Sequence, residues 1–106
     1  MMSNLVVWEL VGPLLLELLV ARGELEEARH LERERHRHPL VDAAEATLNR
    51  LLSPRGGLTC AELEVELREA MRRDPRGLRA VLSSVVDRYL AMKRTLRGRE
   101  RLAWFS

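Results

Sequence analysis

Cysteine is almost missing from this 106-residue sequence: Cys60 stands alone, so no intrachain disulfide can staple the chain. Thiol usage this sparse suits a reducing, cytoplasmic setting. Aromatic side chains are also scarce, with two Trp, one Tyr and one Phe, too few for a platform on which single-stranded bases would stack. Lysine is nearly absent, since Lys93 is the lone lysine among 18 basic residues. That arginine bias points to a GC-rich bacterial or phage coding sequence, and it also suits a thermophile. There is no nucleophile–base arrangement, no glycine loop for phosphate and no paired metal ligands, which speaks against an enzyme. His30, His36 and His38 do not form a metal site by spacing. His36 and His38 lie two apart and would point in different directions from a helix, with no cluster of acids or cysteines around them. They read as surface residues, and neither a metal nor a cofactor is expected.

What is present is apolar and charged sequence in unequal halves. Hydrophobic residues make up 46% and charged residues 32%, enough for one globular core and too little length for two ordinary domains. From Leu5 to Val20, twelve of sixteen positions are apolar. A segment this apolar on nearly every side needs burial on more than one face. Self-association through Leu5, Trp8, Leu15, Leu16 and Leu19 would supply it, giving a homodimer or a dock for another protein. The alternative is an extra helix laid on the chain's own core. Pro13 more naturally begins a helix than interrupts one, so a short helix before Gly12 and a longer one after it are expected. No membrane anchor is expected, because a basic leader is missing and Glu9, Glu17 and Gly12-Pro13 interrupt the run.

Charge divides the chain as sharply. Residues 1–53 hold six Arg against nine acids, a net −3, and residues 54–106 hold twelve basic groups against seven acids, a net +5. From Met71 onward ten basic groups face three acids, a net +7. Clustered positive charge of this kind attracts polyanions through counterion release. Between Arg22 and His38 opposite charges alternate, as Glu26 with Arg29, which reads as a solvated helix. The organisation expected is an assembly segment over 1–38 and a second unit over 39–106.

In that second unit Pro39 opens a helix to about Leu52, with Val41, Ala44, Leu48, Leu51 and Leu52 on its inner face. Thr59 and Glu62 spell a capping box for the next helix. Asp74-Pro75 then marks an N-cap and first-turn proline for a helix over 75–89. Leu78, Val81, Leu82, Val85 and Val86 line one face of it, and Arg76, Arg79, Ala80, Ser83 and Ser84 the other. Arg can pair bidentately with guanine, Ser can donate or accept, and Ala lets the backbone approach base edges. Beyond Leu90 the apolar period shifts to two, which predicts a β-hairpin over 91–104 with Arg97-Gly98-Arg99 at its tip.

The string LTCAELEVEL…DPRGLRAVLSSVVDRYLAMKR…RGR within residues 40–105 resembles the winged helix-turn-helix superfamily of prokaryotic regulators. That resemblance implies a mainly α fold with a small β-hairpin wing, preceded by an N-terminal helical dimerisation segment. It also implies a dimeric regulator of double-stranded DNA, cytoplasmic and nucleoid-associated. Arg76, Arg79, Ala80, Ser83 and Ser84 would meet bases; Arg72, Arg73, Lys93, Arg94, Arg97, Arg99 and Arg101 would hold phosphates. The competing reading is an interaction subunit of a chromosome, replication or transcription complex that reads no sequence. The two part on whether the arginines form one open basic face.

Overall fold

The structure, a computed structural model, describes the backbone of residues 2–53 and 55–105 and the side-chain surroundings of residues 3–53 and 55–97. Five helices follow one another: α1 (Met2–Ala21), α2 (Leu25–Glu34), α3 (Pro39–Leu52), α4 (Cys60–Arg73) and α5 (Pro75–Phe105). A 3-10 turn over Arg35–Arg37 links α2 to α3. The mainly α expectation is met, but there is no strand among the described residues. The β-hairpin over 91–104, and the winged architecture that depended on it, are replaced by the continuation of α5. The physical reason is local. Ala91, Met92, Lys93, Arg94, Leu96 and Arg97 are all good helix formers, and one glycine inside a helix costs only about 1 kcal/mol. The Thr95 hydroxyl donates back to the Ala91 carbonyl at 3.0 Å, one turn earlier, as a helical threonine can.

The start signals after residue 38 behave as chemistry predicts. The Glu62 amide donates to Thr59 Oγ1 and the Thr59 amide to Glu62 Oε1, each at 3.2 Å, closing the capping box at α4. The Gly77 amide donates to Asp74 Oδ1 at 3.0 Å, capping α5. At the other end of the chain the outcome differs. α1 runs unbroken through Pro13, where two helices were expected. An interior proline costs about 3 kcal/mol. Against it stand Val7, Val11, Leu15, Leu18 and Leu19, all buried on both sides of the proline. At roughly 1.5–3 kcal/mol for each such side chain, burial outweighs the cost of the proline. Pro13 and Glu9 both face outward, so water can reach the Glu9 carbonyl that the missing amide leaves free. Gly12 lies under the Trp8 indole, where an added Cβ would come within 2.6 Å of the ring.

α1 ends on Gly23 at φ 74°. The Glu24 amide returns to the Leu19 carbonyl at 3.0 Å and the Gly23 amide to the Val20 carbonyl at 2.9 Å, a Schellman pair that requires a left-handed residue. α2 ends less comfortably, on Arg35 at φ 55°, ψ −126°. A side chain is strained in that conformation, and the Arg35 side chain is exposed. Arg35→Gly is therefore expected to raise stability by about 1 kcal/mol, read as a higher urea midpoint.

α1 is the central element and touches every other one. Its buried stripe joins Leu31, then Leu40, Val41, Ala44 and Leu48 of α3, and Leu63 and Leu67 of α4. Leu78, Leu82, Val85, Val86, Tyr89 and Leu90 of α5 complete the same core. Leu51, expected on the inner face of α3, is instead 54% exposed. Packing of α5 ends near Leu90: of residues 91–97 only Lys93 is not exposed. The helix nevertheless continues, and its length of roughly 46 Å accounts for the 50 Å long axis of the molecule.

Candidate interaction groove

Folding brings the acidic and basic halves of the sequence together. Arg79 pairs with Glu17 at 2.9 Å and Arg94 with Glu24 at 3.1 Å. Lys93 pairs with Glu27, and Arg22 crosses in the other sense to Asp87 at 2.7 Å. Arg72 and Arg73 both reach Glu69, at 2.8 and 3.2 Å. Most of the residues expected to hold phosphate thus have a carboxylate of their own chain beside them. Apart from Lys93–Glu27, whose carboxylate is buried, these exposed pairs contribute about 0–1 kcal/mol each, so they orient side chains more than they stabilise.

The residues expected to meet bases divide in two. Arg76, Ala80 and Ser84 are exposed, and Arg88 continues the same stripe. Ser83 instead turns toward α1, where its hydroxyl and carbonyl both accept from Arg22 Nη2. Arg97 is exposed, while the side chains of Arg99 and Arg101 lie outside the described residues. Among the residues expected at a dimer interface, Leu15 and Leu19 are fully enclosed in the chain's own core. Trp8 and Leu16 are half-buried against that core, and Leu5 is exposed. Residues 3–21 have a mean hydropathy of 1.8, high enough for a membrane span by composition and length. Here much of that apolar character meets α2, α3, α4 and α5.

A buried polar node joins three elements. Glu27 of α2 accepts from the Tyr89 hydroxyl at 3.2 Å and from Lys93 Nζ. His38 Nε2 lies 3.5 Å from the same carboxylate. His38 is not the surface residue expected: it is 2% exposed, and its Nδ1 accepts the Leu40 amide at 2.9 Å, capping α3. Accepting at Nδ1 leaves the neutral ring protonated at Nε2, the atom facing Glu27. Burial pushes the His38 imidazole below its ordinary value, against the pull of the Glu27 and Glu34 charges. Burial alone would raise Glu27, but the hydrogen bond and charge of Lys93, with the Tyr89 hydroxyl and the nearby His38, hold it below the usual carboxylate range. Burial and the Glu27 charge push the Tyr89 phenol up.

Both depressed groups make the fold acid-sensitive. Below pH 6.5 the unfolded chain takes a proton at His38 that the folded chain resists, so stability falls as pH drops from there toward the folded value. Below pH 4.5 the contribution of Glu27 is lost in the same direction. His38→Asn keeps a capping oxygen without a titrating ring. Urea midpoints measured between about pH 5 and 7 are expected to slope in the wild type and to flatten in the variant.

The polar face of α5 leads to a different surface. Pro39, Ala43, Ala46, Thr47 and Arg50 recur along one side of α3 and face Val85, Arg88, Tyr89 and Met92 of α5 across a groove. A second recess adjoins it, lined by Leu51, Val81 and Ser84 together with Thr47, Arg50 and Arg88. Neither lining contains a carboxylate, and neither Arg50 nor Arg88 has an ion-pair partner among the described residues. Met92 at the rim is 58% exposed. Sequence reasoning passed over Arg50, Thr47 and Met92, because their shared surface forms only when α3 lies beside α5. No group of three or more metal-ligating side chains occurs among the described residues. Comparison with protein-family models, characterised proteins and solved structures found no significant match in any of the three.

Proposed function

We propose that the protein is a helical interaction module that binds another protein through the groove between α3 and α5. The observation that carries this reading is the coincidence of exposed apolar side chains, Leu51 and Met92, with Arg50 and Arg88 on a carboxylate-free surface. Exposed apolar surface framed by arginine is typical of protein interfaces, where Arg and Met are enriched. Neighbouring cations of α5 have carboxylates of their own chain beside them, which lowers the attraction of that side for polyanions.

Duplex DNA remains the second reading, favoured by one feature. Arg76, Ala80, Ser84 and Arg88 stand at four-residue intervals on the exposed side of α5, a stripe a major groove could accept. The two readings separate in one experiment. A random peptide library displayed on phage is panned on the full chain, with Ala46→Trp as a plug for the groove. Selected peptides are expected to lose binding to the plugged variant. Random duplex DNA is expected to show weak binding at physiological salt, unaffected by the plug. Tight DNA binding with a steep salt dependence, and no plug-sensitive peptide, would refute the proposal.

A further inference from the structure

We infer that the groove takes an amphipathic, acidic helix of a partner protein, carrying two apolar side chains one turn apart with carboxylates beside them. The inference rests on the interaction-module reading and adds the chemistry of the occupant. Its first support is the division of the groove into two recesses. One is lined by Ala43, Ala46, Val85, Tyr89 and Met92, the other by Leu51, Val81 and Ser84. Their α5 linings are displaced by about four residues, roughly 6 Å along the axis. That offset matches the separation of side chains at i and i+4 on an incoming helix, the usual anchors of helix-in-groove recognition. Ala43 and Ala46 are small, so the α3 wall does not obstruct a large apolar side chain laid over Val85 and Tyr89.

The second support is charge. Thr47, Arg50 and Arg88 line both recesses, so the two arginines stand where the recesses meet. A carboxylate arriving between two apolar anchors would find two guanidinium groups and no competing acid in the lining. Arginine–carboxylate bonds are charge-assisted, and the anchors would exclude water from them. A phosphate backbone would satisfy the arginines and leave both apolar recesses without an apolar partner. A second copy of this chain fits less well. Val65 is a large exposed side chain on α4, but Ala61 and Glu69 stand one turn from it, so that helix offers a single large apolar anchor where two recesses await one.

The test is a selection from alanine-based helical peptides about three turns long, panned in parallel on the wild type and on Arg50→Glu/Arg88→Glu. On the wild type, enriched peptides are expected to carry large apolar residues at i and i+4 with adjoining Asp or Glu. A synthetic copy should shift the Met92 methyl resonance. On the double variant the apolar pair should return with Lys or Arg in place of the acids. The wild-type peptide should bind that variant roughly tenfold more weakly. An apolar pair with no acidic bias, or equal affinity for both proteins, overturns the acidic occupant and leaves a protein-binding groove. Peptides that leave Met92 unmoved overturn the groove itself, as does duplex DNA binding that the double variant loses. A dimer mass in light scattering that the double variant reduces to a monomer assigns the groove to a second copy instead. Arg50 and Arg88 are exposed, so the thermal midpoint should survive their replacement. Arg50→Gln/Arg88→Gln repeats the comparison if charge reversal lowers that midpoint.

Discussion

Replacing Leu15 by alanine should lower the free energy of unfolding by about 2–5 kcal/mol, the range for a leucine removed from a packed core. Domains of this size have only about 5–15 kcal/mol in total, so the loss takes a large share. Leu15 is fully buried at the middle of α1, the helix on which every other element rests. A cavity there loosens the contacts that α2, α3, α4 and α5 make with α1, and no peripheral element can close over it. Urea unfolding followed by circular dichroism should show a lower midpoint with an unchanged slope, independent of protein concentration. Leu15→Glu should abolish folding, because the carboxylate would be buried with no partner. Leu5, 41% exposed on the same helix, provides the contrast: Leu5→Ala should change stability by less than about 0.5 kcal/mol. A loss for Leu15→Ala that vanishes on dilution would show that the side chain works between chains and not within one.

Glu27→Ala should cost about 2–3 kcal/mol, a large effect for one residue in a ten-residue helix. The carboxylate serves Tyr89 and Lys93 directly and faces His38 Nε2. Its removal leaves the buried Tyr89 hydroxyl and His38 ring without their acceptor, and each such orphan costs about 1–3 kcal/mol. Lys93 can still reach water, since a third of its side chain is exposed, so the penalty stays below the 3–5 kcal/mol typical of a fully buried pair. Glu27→Gln should lose less, because an amide oxygen still accepts from Tyr89. The informative variant is Glu27→Leu/Lys93→Met. Removing both charges spares the desolvation cost of the pair but still leaves Tyr89 and His38 without an acceptor, so it should recover only the smaller part of the loss that belongs to Lys93. Full recovery in the double variant would mean that the unpaired Lys93 charge, and not the orphaned Tyr89 and His38 groups, sets the effect.

Much of the middle of the chain was legible in order. Thr59 with Glu62, and Asp74 with Pro75, act within four residues of sequence, so local chemistry alone placed the starts of α4 and α5. Of the face expected from Leu78, Val81, Leu82, Val85 and Val86, all but the half-buried Val81 likewise proved to lie in the core. Where alternatives differed by little locally, the reading failed. Met92 and Leu96 fit a two-residue period only when counted with Leu102 and Trp104, and the same two stand four apart on a helix. Helix propensity through Arg97 decided for α5, and the wing was lost. Pro13 marked a helix start by its own chemistry, yet burial of Val7 and Val11 on one side and Leu15 on the other carried α1 through it.

By itself the sequence determined a mainly helical chain with capped, amphipathic segments and a charge imbalance between its halves. Only the tertiary structure decided what that imbalance does. The basic excess after Met71 looked like a surface for polyanions, but Glu17, Glu24 and Glu27 lie against Arg79, Arg94 and Lys93 across more than sixty residues of sequence. Such pairs follow from how α1 and α2 lie on α5, which depends on the whole core and on no local pattern. The same holds for His38, buried as a cap where its neighbours suggested solvent, and for Arg50 and Arg88, which share a groove only because α3 and α5 lie side by side. Local chemistry acts over one or two turns; burial and charge matching act over the folded chain, and they decide which cations among the described residues stand beside a carboxylate and which, like Arg50 and Arg88, do not.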